Sequence, residues 1–148
     1  MDFSFDTTTQ ALISRARRFV DEHVLPAEPV FEQQLAATPD EWTVRPIVRD
    51  LQQRARAEGL WNLFLPAGHG ENGGAGLTNL QYAPVAEITG WSTRLAPPAF
   101  NCAAPDTGNM EVLNDFGTPE QKATWLRPLL DAEIRSAFCM TEPDVASS

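Results

Sequence analysis

The sequence predicts an all-α fold, a bundle of about five helices followed by one short C-terminal strand. Apolar residues recur at helical spacing along most of the chain, and capping residues, glycines and prolines separate these stretches. Only residues 135–140 have the short apolar pattern of a strand. We therefore expect a helical domain over residues 1–134 and the start of a β domain over residues 135–148.

The first helix has apolar residues at i, i+3, i+4 and i+7 between Leu12 and Val24, and Pro26 and Pro29 are expected to end it. A second helix is predicted from about Val44 to Glu58, because the glycine that follows suits a left-handed C-terminal position.

Capping residues mark the later helices. Thr78 with Gln81 predicts a helix start that continues to about Ile88. A further helix is predicted from Asp106 to Phe116, and Thr118-Pro-Glu-Gln121 is the strongest helix start in the chain. Pro128 should kink or shorten this last helix.

Composition excludes several classes of function. The 148 residues are 43% hydrophobic and include four Trp, which is enough for a core, and the formal net charge is −9. This charge argues against nucleic-acid binding, since no basic face could neutralise several phosphates. We find no signal peptide, transit peptide or apolar run of transmembrane length, and therefore predict a cytoplasmic protein with no membrane partner.

A glycine-rich loop contains the pattern Gly68-x-Gly70-x-x-Gly73. This spacing is found in dinucleotide-binding turns, but Pro66 separates the loop from the apolar run before it, and no helix opens at the third glycine. A surface loop is the better interpretation.

The histidines and cysteines show no recognisable metal-binding or catalytic arrangement. His23 and His69 stand alone, and Cys102 and Cys139 are far apart in sequence. We expect no metal site and a buried, reduced thiol at each cysteine.

Residues 101–110 admit two interpretations. The small residues with Asp106 and Thr107 are typical of a capped helix start, with Phe100 and Met110 in the core. Alternatively, this backbone closely approaches an elongated apolar ligand, with Phe100 and Met110 as its walls. The first interpretation explains most of the composition.

The C-terminal segment carries the best chemical case. An apolar strand from Ser136 to Met140 runs into a turn that starts at Pro143 and contains small and hydroxyl residues. Such a turn can direct amide N–H groups and hydroxyls at an anionic or carbonyl-rich ligand, although an ordinary strand and turn would have the same composition.

This segment, Phe138-Cys-Met-Thr-Glu-Pro143, resembles the flavin-contacting segment of acyl-CoA dehydrogenases. Residues 59–66, 104–113, 116–122, 125–130 and 134–138 also resemble the N-terminal half of that family, in the family's order. The likeness covers nearly the whole chain from Leu12 onward. It is greatest to the branch of acyl-CoA dehydrogenase family members 10 and 11.

The resemblance implies an FAD-dependent oxidoreductase of fatty acid metabolism that converts an acyl-CoA thioester to the 2-enoyl-CoA. Electrons would pass to an electron-transferring flavoprotein, and the protein would form a homo-oligomer. The cofactor-binding residues would be Phe138, Met140, Thr141, Ala146, Ser147 and Ser148, and Ser147 and Ser148 would also contact the substrate.

In the family the catalytic base belongs to a C-terminal domain, so no catalytic residue is assigned here and this segment alone should be inactive. Asp144 stands where the family often has glycine, and its carboxylate would repel phosphate unless it points away. Two alternatives remain: a non-catalytic helical interaction module and an acyl-CoA oxidase.

Overall fold

A computed structural model describes residues 4–39, 43–66, 74–140 and 144 of the chain. The described residues form eight α-helices and no strand, which confirms the all-α prediction. A β-bridge joins Pro66 and Leu77. The helices are α1 (Thr7–Phe19), α2 (Leu25–Ala37), α3 (Pro46–Ala57), α4 (Asn79–Thr89), α5 (Ala96–Ala99), α6 (Asp106–Phe116), α7 (Pro119–Gln121) and α8 (Arg127–Leu130).

The first predicted helix does not end at its prolines. A π-helical turn, Val20–Val24, joins α1 to α2, so the helical chain continues through Pro26 and Pro29 to Ala37. In this turn the Leu25 amide donates to the carbonyl of Val20, five residues back. A proline ring clashes with the carbonyl four residues before it, and a wider turn ahead of the ring relieves that clash. The predicted end of the helix was therefore wrong.

The same solution occurs before Pro128. A π-helical turn, Lys122–Leu126, joins α7 to α8, and the Arg127 amide donates to the carbonyl of Lys122. The predicted distortion is present, and it takes the form of a widened turn ahead of the proline rather than a break.

Two helix starts, those of α4 and α7, follow the capping residues predicted from the sequence. The Thr78 hydroxyl accepts from the Gln81 amide at 3.3 Å, while the Gln81 side chain accepts from the Thr78 amide at 2.9 Å. Thr118 and Gln121 form the same reciprocal pair at the start of α7. Each pair satisfies two backbone donors that the first helical turn leaves free.

The core consists of two clusters of buried side chains. The larger lies among α1 to α5 and is centred on Phe19, whose ring meets that of Phe100 edge-on with centroids 5.3 Å apart. The smaller lies under α6 and α8 and contains Phe64, Leu65, Met110, Leu126, Leu129 and Leu130. Tyr82 and Cys102 pack against both clusters, so the two are continuous.

Residues 135–140 lie outside any helix or strand, so the predicted strand is not formed within the described residues. A strand needs a neighbour to complete its hydrogen-bond ladder, and the described residues offer none. The domain boundary at residue 134 stays a prediction. None of the helices in the described ranges has the length and hydrophobicity needed to cross a lipid bilayer.

Candidate functional site

A buried carboxylate anchors the start of the C-terminal segment. Asp106, the first residue of α6, is 3% exposed. Its Oδ1 accepts from the Ser136 amide at 2.7 Å and from the Ser136 hydroxyl at 2.6 Å, and its Oδ2 pairs with Nε of Arg135. One turn further along α6, Asn109 donates to the Ser136 hydroxyl at 2.8 Å. We call these four residues the α6 clamp.

The α6 clamp depends on helical spacing. Residues three apart lie on one face of a helix, so Asp106 and Asn109 both reach Ser136. Asp106 also lies in the first turn of α6, where the helix dipole favours a negative charge. From the sequence, Asp106 was predicted only as a helix cap, and Asn109, Arg135 and Ser136 were not predicted to form a site with it. The i, i+3 spacing of Asp106 and Asn109 was the available signal.

An apolar groove adjoins the clamp. It has a volume of about 600 Å³ and runs between α6, α8 and the C-terminal segment. Its apolar walls are open to solvent in part, since Trp125 is 55% exposed and Val112 is 59% exposed. The clamp residues Asn109, Arg135 and Ser136 contribute amide, guanidinium and hydroxyl groups to its lining. The groove is lined by Asn109, Val112, Leu113, Trp125, Leu129, Ile134, Arg135, Ser136 and Ala137.

Two of the predicted cofactor-binding residues lie just beyond this groove. Phe138 and Met140 are 66% and 68% exposed, an unusual state for two large apolar side chains so close in sequence. The other predicted cofactor-binding residues, Thr141, Ala146, Ser147 and Ser148, lie outside the described residues. Asp144 is described, and it is exposed in a turn.

Phe100 and Met110 are both almost fully buried in the core. This confirms the core positions of the two side chains and the helix start, since neither residue lines the apolar groove. The predicted cap was wrong: Pro105 is the N-cap of α6, Asp106 is its first residue, and no side-chain hydrogen bond caps the helix. The turn before α6 joins other parts of the chain through a buried asparagine. Asn101 has a φ of 55°, and its side-chain Nδ2 donates to Asn62 Oδ1 at 2.7 Å.

The two cysteines differ in their surroundings. Desolvation is the main cause that raises the pKa of the partly buried Cys102 thiol to about 11. The pKa of Tyr82, which is also partly buried, is raised chiefly by the same cause. Cys139 is exposed, so the prediction of a buried thiol was wrong at that position. Residues 137–140 are exposed, and nothing in the described part of the chain covers them.

The histidines show no catalytic arrangement in the described part of the chain. His23 lies 3.6 Å from a Glu58 oxygen and edge-on to the Phe19 ring. His69 lies outside the described residues. No group of three His, Cys, Asp or Glu side chains that could hold a metal ion occurs among the residues the structure describes.

The match to known proteins decides the family. The protein-family model described as "Acyl-CoA dehydrogenase, N-terminal domain" matches residues 6–133 of the sequence. The chain belongs to the acyl-CoA dehydrogenase family. This confirms the resemblance found in the sequence, and it agrees with the helical fold.

Relatives from distant organisms support the assignment. "Probable acyl-CoA dehydrogenase FadE2" of Mycobacterium tuberculosis is 54% identical over 149 residues, covering 100% of this chain and 35% of that protein. Acyl-CoA dehydrogenase family member 10 of Mus musculus is 52% identical over 133 residues, covering 88% of this chain and 12% of that protein. Acyl-CoA dehydrogenase family member 11 of Homo sapiens is 48% identical over 142 residues, covering 94% of this chain and 17% of that protein.

A solved structure has the same fold. "Structure of a putative acyl-CoA dehydrogenase from Mycobacterium abscessus" superposes with a TM-score of 0.83 at 48% identity, covering 97% of this chain and 36% of that one. The chain thus spans about a third of the length of these mycobacterial relatives, at 35% and 36%.

Proposed function

We propose that this chain is the helical N-terminal part of an FAD-dependent acyl-CoA dehydrogenase, an enzyme that oxidises the Cα–Cβ bond of an acyl-CoA thioester to the 2-enoyl-CoA. The observation that carries the proposal is the family match over residues 6–133. The exposed apolar pair Phe138 and Met140, a few residues beyond the end of that match, supports it.

The described residues fit a flavin as far as they reach. Phe138 and Met140 expose apolar surface that suits the flat face of an isoalloxazine ring, because aromatic rings and thioethers both pack well on π-systems. When bound, FAD supplies the acceptor for the hydride that leaves the substrate Cβ. The Thr141 hydroxyl is assigned as a hydrogen-bond donor to the flavin. Ala146, Ser147 and Ser148 are assigned as cofactor contacts, and Ser147 and Ser148 also as substrate contacts.

The proposal places the catalytic base outside these residues, so the 148-residue chain alone is expected to be inactive. Electrons would leave through an electron-transferring flavoprotein, and the enzyme would assemble as a homo-oligomer. The apolar groove beside the α6 clamp supports the proposal that these helices pack against further protein, since an open apolar surface of this kind is normally covered by another part of a protein or by a ligand.

The experiment compares two proteins: the product of the complete reading frame that encodes this chain, and the 148-residue chain alone. The longer protein is expected to carry flavin absorbance that an acyl-CoA bleaches under anaerobic conditions, and the short chain is expected to show no turnover. A longer protein that binds no flavin would overturn the proposal and favour the interaction module. Stoichiometric peroxide during turnover in air would identify an oxidase instead.

A matched pair of variants tests the cofactor contact. Phe138→Ala removes an aromatic side chain at the proposed site, whereas Phe116→Ala removes one that is 81% exposed at the end of α6 and outside the groove lining. Loss of an aromatic contact worth about 1.4 kcal/mol weakens binding about tenfold. We expect Phe138→Ala to raise the dissociation constant of FAD roughly tenfold and Phe116→Ala to leave it unchanged. Equal effects of the two would contradict the assignment of Phe138.

A further inference from the structure

The α6 clamp concentrates polar interactions on two consecutive residues. Arg135 donates from its side chain to Asp106, and Ser136 donates from both its amide and its hydroxyl. Asn109 adds a donor to the Ser136 hydroxyl. A buried carboxylate is costly unless it is paired and hydrogen-bonded. Here the bonds that satisfy Asp106 come from Arg135 and Ser136, which follow the end of α8 at Leu130.

The clamp lies close to the proposed cofactor contacts along the chain. A chain advances at most about 3.6 Å per residue, so the Phe138 Cα lies within about 7 Å of the Ser136 Cα. Beyond the clamp, a local hydrogen bond links the Met140 amide to the Phe138 carbonyl at 3.2 Å. The direction in which Phe138 and Met140 leave the helices is therefore determined close to Ser136.

We propose that Asp106 is a positioning residue for the cofactor: it holds Ser136 against α6, and through Ser136 it orients Phe138 and Met140 toward the flavin ring. This inference rests on the proposed function, because it assumes that these two residues contact FAD. Asp106 itself touches neither cofactor nor substrate in this scheme, and its effect is transmitted through the backbone of residues 136–140.

The test uses the product of the complete reading frame and a graded set of variants. Asp106→Asn keeps an oxygen that can accept from Ser136 but removes the charge that faces Arg135. Asp106→Ala removes every acceptor. Ser136→Ala removes the two hydroxyl bonds, to Asp106 and from Asn109, and keeps the bond from the backbone amide of residue 136 to Asp106. Glu111→Gln is the control, because it neutralises an exposed carboxylate on the same helix.

Two readouts separate positioning from a general loss of stability. The first is the dissociation constant of FAD, and the second is the visible-range circular dichroism of the flavin in folded protein saturated with FAD. A merely structural role would lower the unfolding temperature and leave the dichroism of the folded, saturated protein unchanged. Hydrogen exchange at the Ser136 amide then reports directly on the clamp.

Asp106→Ala breaks all three bonds to the carboxylate, and we expect it to raise the dissociation constant of FAD about tenfold and to change the dichroism of bound flavin. Asp106→Asn and Ser136→Ala should act in the same direction and more weakly, and Glu111→Gln should match the wild type. Adding Ser136→Ala to Asp106→Ala should have a smaller effect than Ser136→Ala alone, because the bond between the Ser136 hydroxyl and Asp106 is already lost and only the bond from Asn109 remains to be broken.

The outcomes distinguish this inference from the proposed function. A wild-type protein that binds no FAD would overturn both, and faster exchange of the Ser136 amide in Asp106→Asn would then show that the clamp is structural. A wild type that binds FAD, with unchanged affinity and dichroism in Asp106→Asn and Ser136→Ala, would overturn the inference alone. These two milder variants decide the question even if Asp106→Ala does not fold.

Discussion

Replacement of Asn101 tests the polar network inside the helical domain. The side-chain Nδ2 of Asn101 lies 2.7 Å from Asn62 Oδ1, 3.1 Å from the Leu129 carbonyl oxygen and 3.2 Å from the Leu130 carbonyl oxygen. Its two N–H groups are thus shared among three acceptors. Asn62 and Trp61 also donate to the Leu130 carbonyl, at 3.0 and 2.9 Å. This network joins two turns of the chain to the last carbonyls of α8.

The expected cost of Asn101→Ala has two parts. Two neutral hydrogen bonds contribute about 1 kcal/mol each, and the loss leaves the buried Asn62 oxygen without this donor. Alanine must also adopt the left-handed φ of 55°, which costs about 1 kcal/mol more than it costs asparagine. We expect a loss of about 3 kcal/mol in the free energy of unfolding. Asn101→Gly avoids the backbone strain and should lose about 2 kcal/mol.

Urea unfolding followed by tryptophan fluorescence measures these changes, and the chain contains four Trp as reporters. Asn79→Ala is the control, since Asn79 is exposed at the first position of α4 and should change the free energy by less than about 0.5 kcal/mol. If Asn101→Ala also stayed within that range, the network would not stabilise the fold. If Asn101→Gly cost more than Asn101→Ala, the argument from backbone strain would be wrong.

Two further predictions concern cysteine reactivity and glycine packing. At pH 7 iodoacetamide should label Cys139 and spare Cys102, because burial raises the pKa of the Cys102 thiol to about 11 and the thiolate is the reactive form. Mass spectrometry of a digest locates the label, and equal labelling of both in the folded protein would contradict the prediction. Gly117→Ala should lower the free energy of unfolding by about 1–3 kcal/mol, because the new Cβ would lie 2.4 Å from the Leu113 carbonyl oxygen. In Gly90→Ala the new Cβ meets open space at a helical φ, so the free energy of unfolding should rise by up to about 1 kcal/mol. Equal shifts of the unfolding temperature in the two variants would refute the packing argument.

Helix starts were predictable because capping acts over three or four residues. Thr78 and Thr118 each lie three residues before a glutamine, and the structure shows both reciprocal pairs. The ends at prolines were less predictable. Pro26 lacks a backbone N–H donor, and its ring clashes with the preceding turn. Val20 and Val24 are fully buried, and their packing stabilises a continuous helical chain through a π-helical turn.

The candidate site divides in the same way. Phe138 and Met140 could be identified from the sequence, because the family resemblance is carried by consecutive residues around them. The α6 clamp could not. Asp106 and Ser136 are 30 residues apart, and a local pattern contains no information about which distant hydroxyl will meet a carboxylate.

The sequence by itself determined the family, the all-α class, the capped helix starts and the segment proposed to contact the cofactor. Each of these depends on periodicity, on neighbouring residues or on a consecutive motif. Only the tertiary structure decided that the helical chain continues past Pro26, that Cys139 is exposed, and that Asp106 holds Ser136 beside an apolar groove. These features depend on how separate helices pack, since burial and long-range hydrogen bonds exist only once the chain has folded.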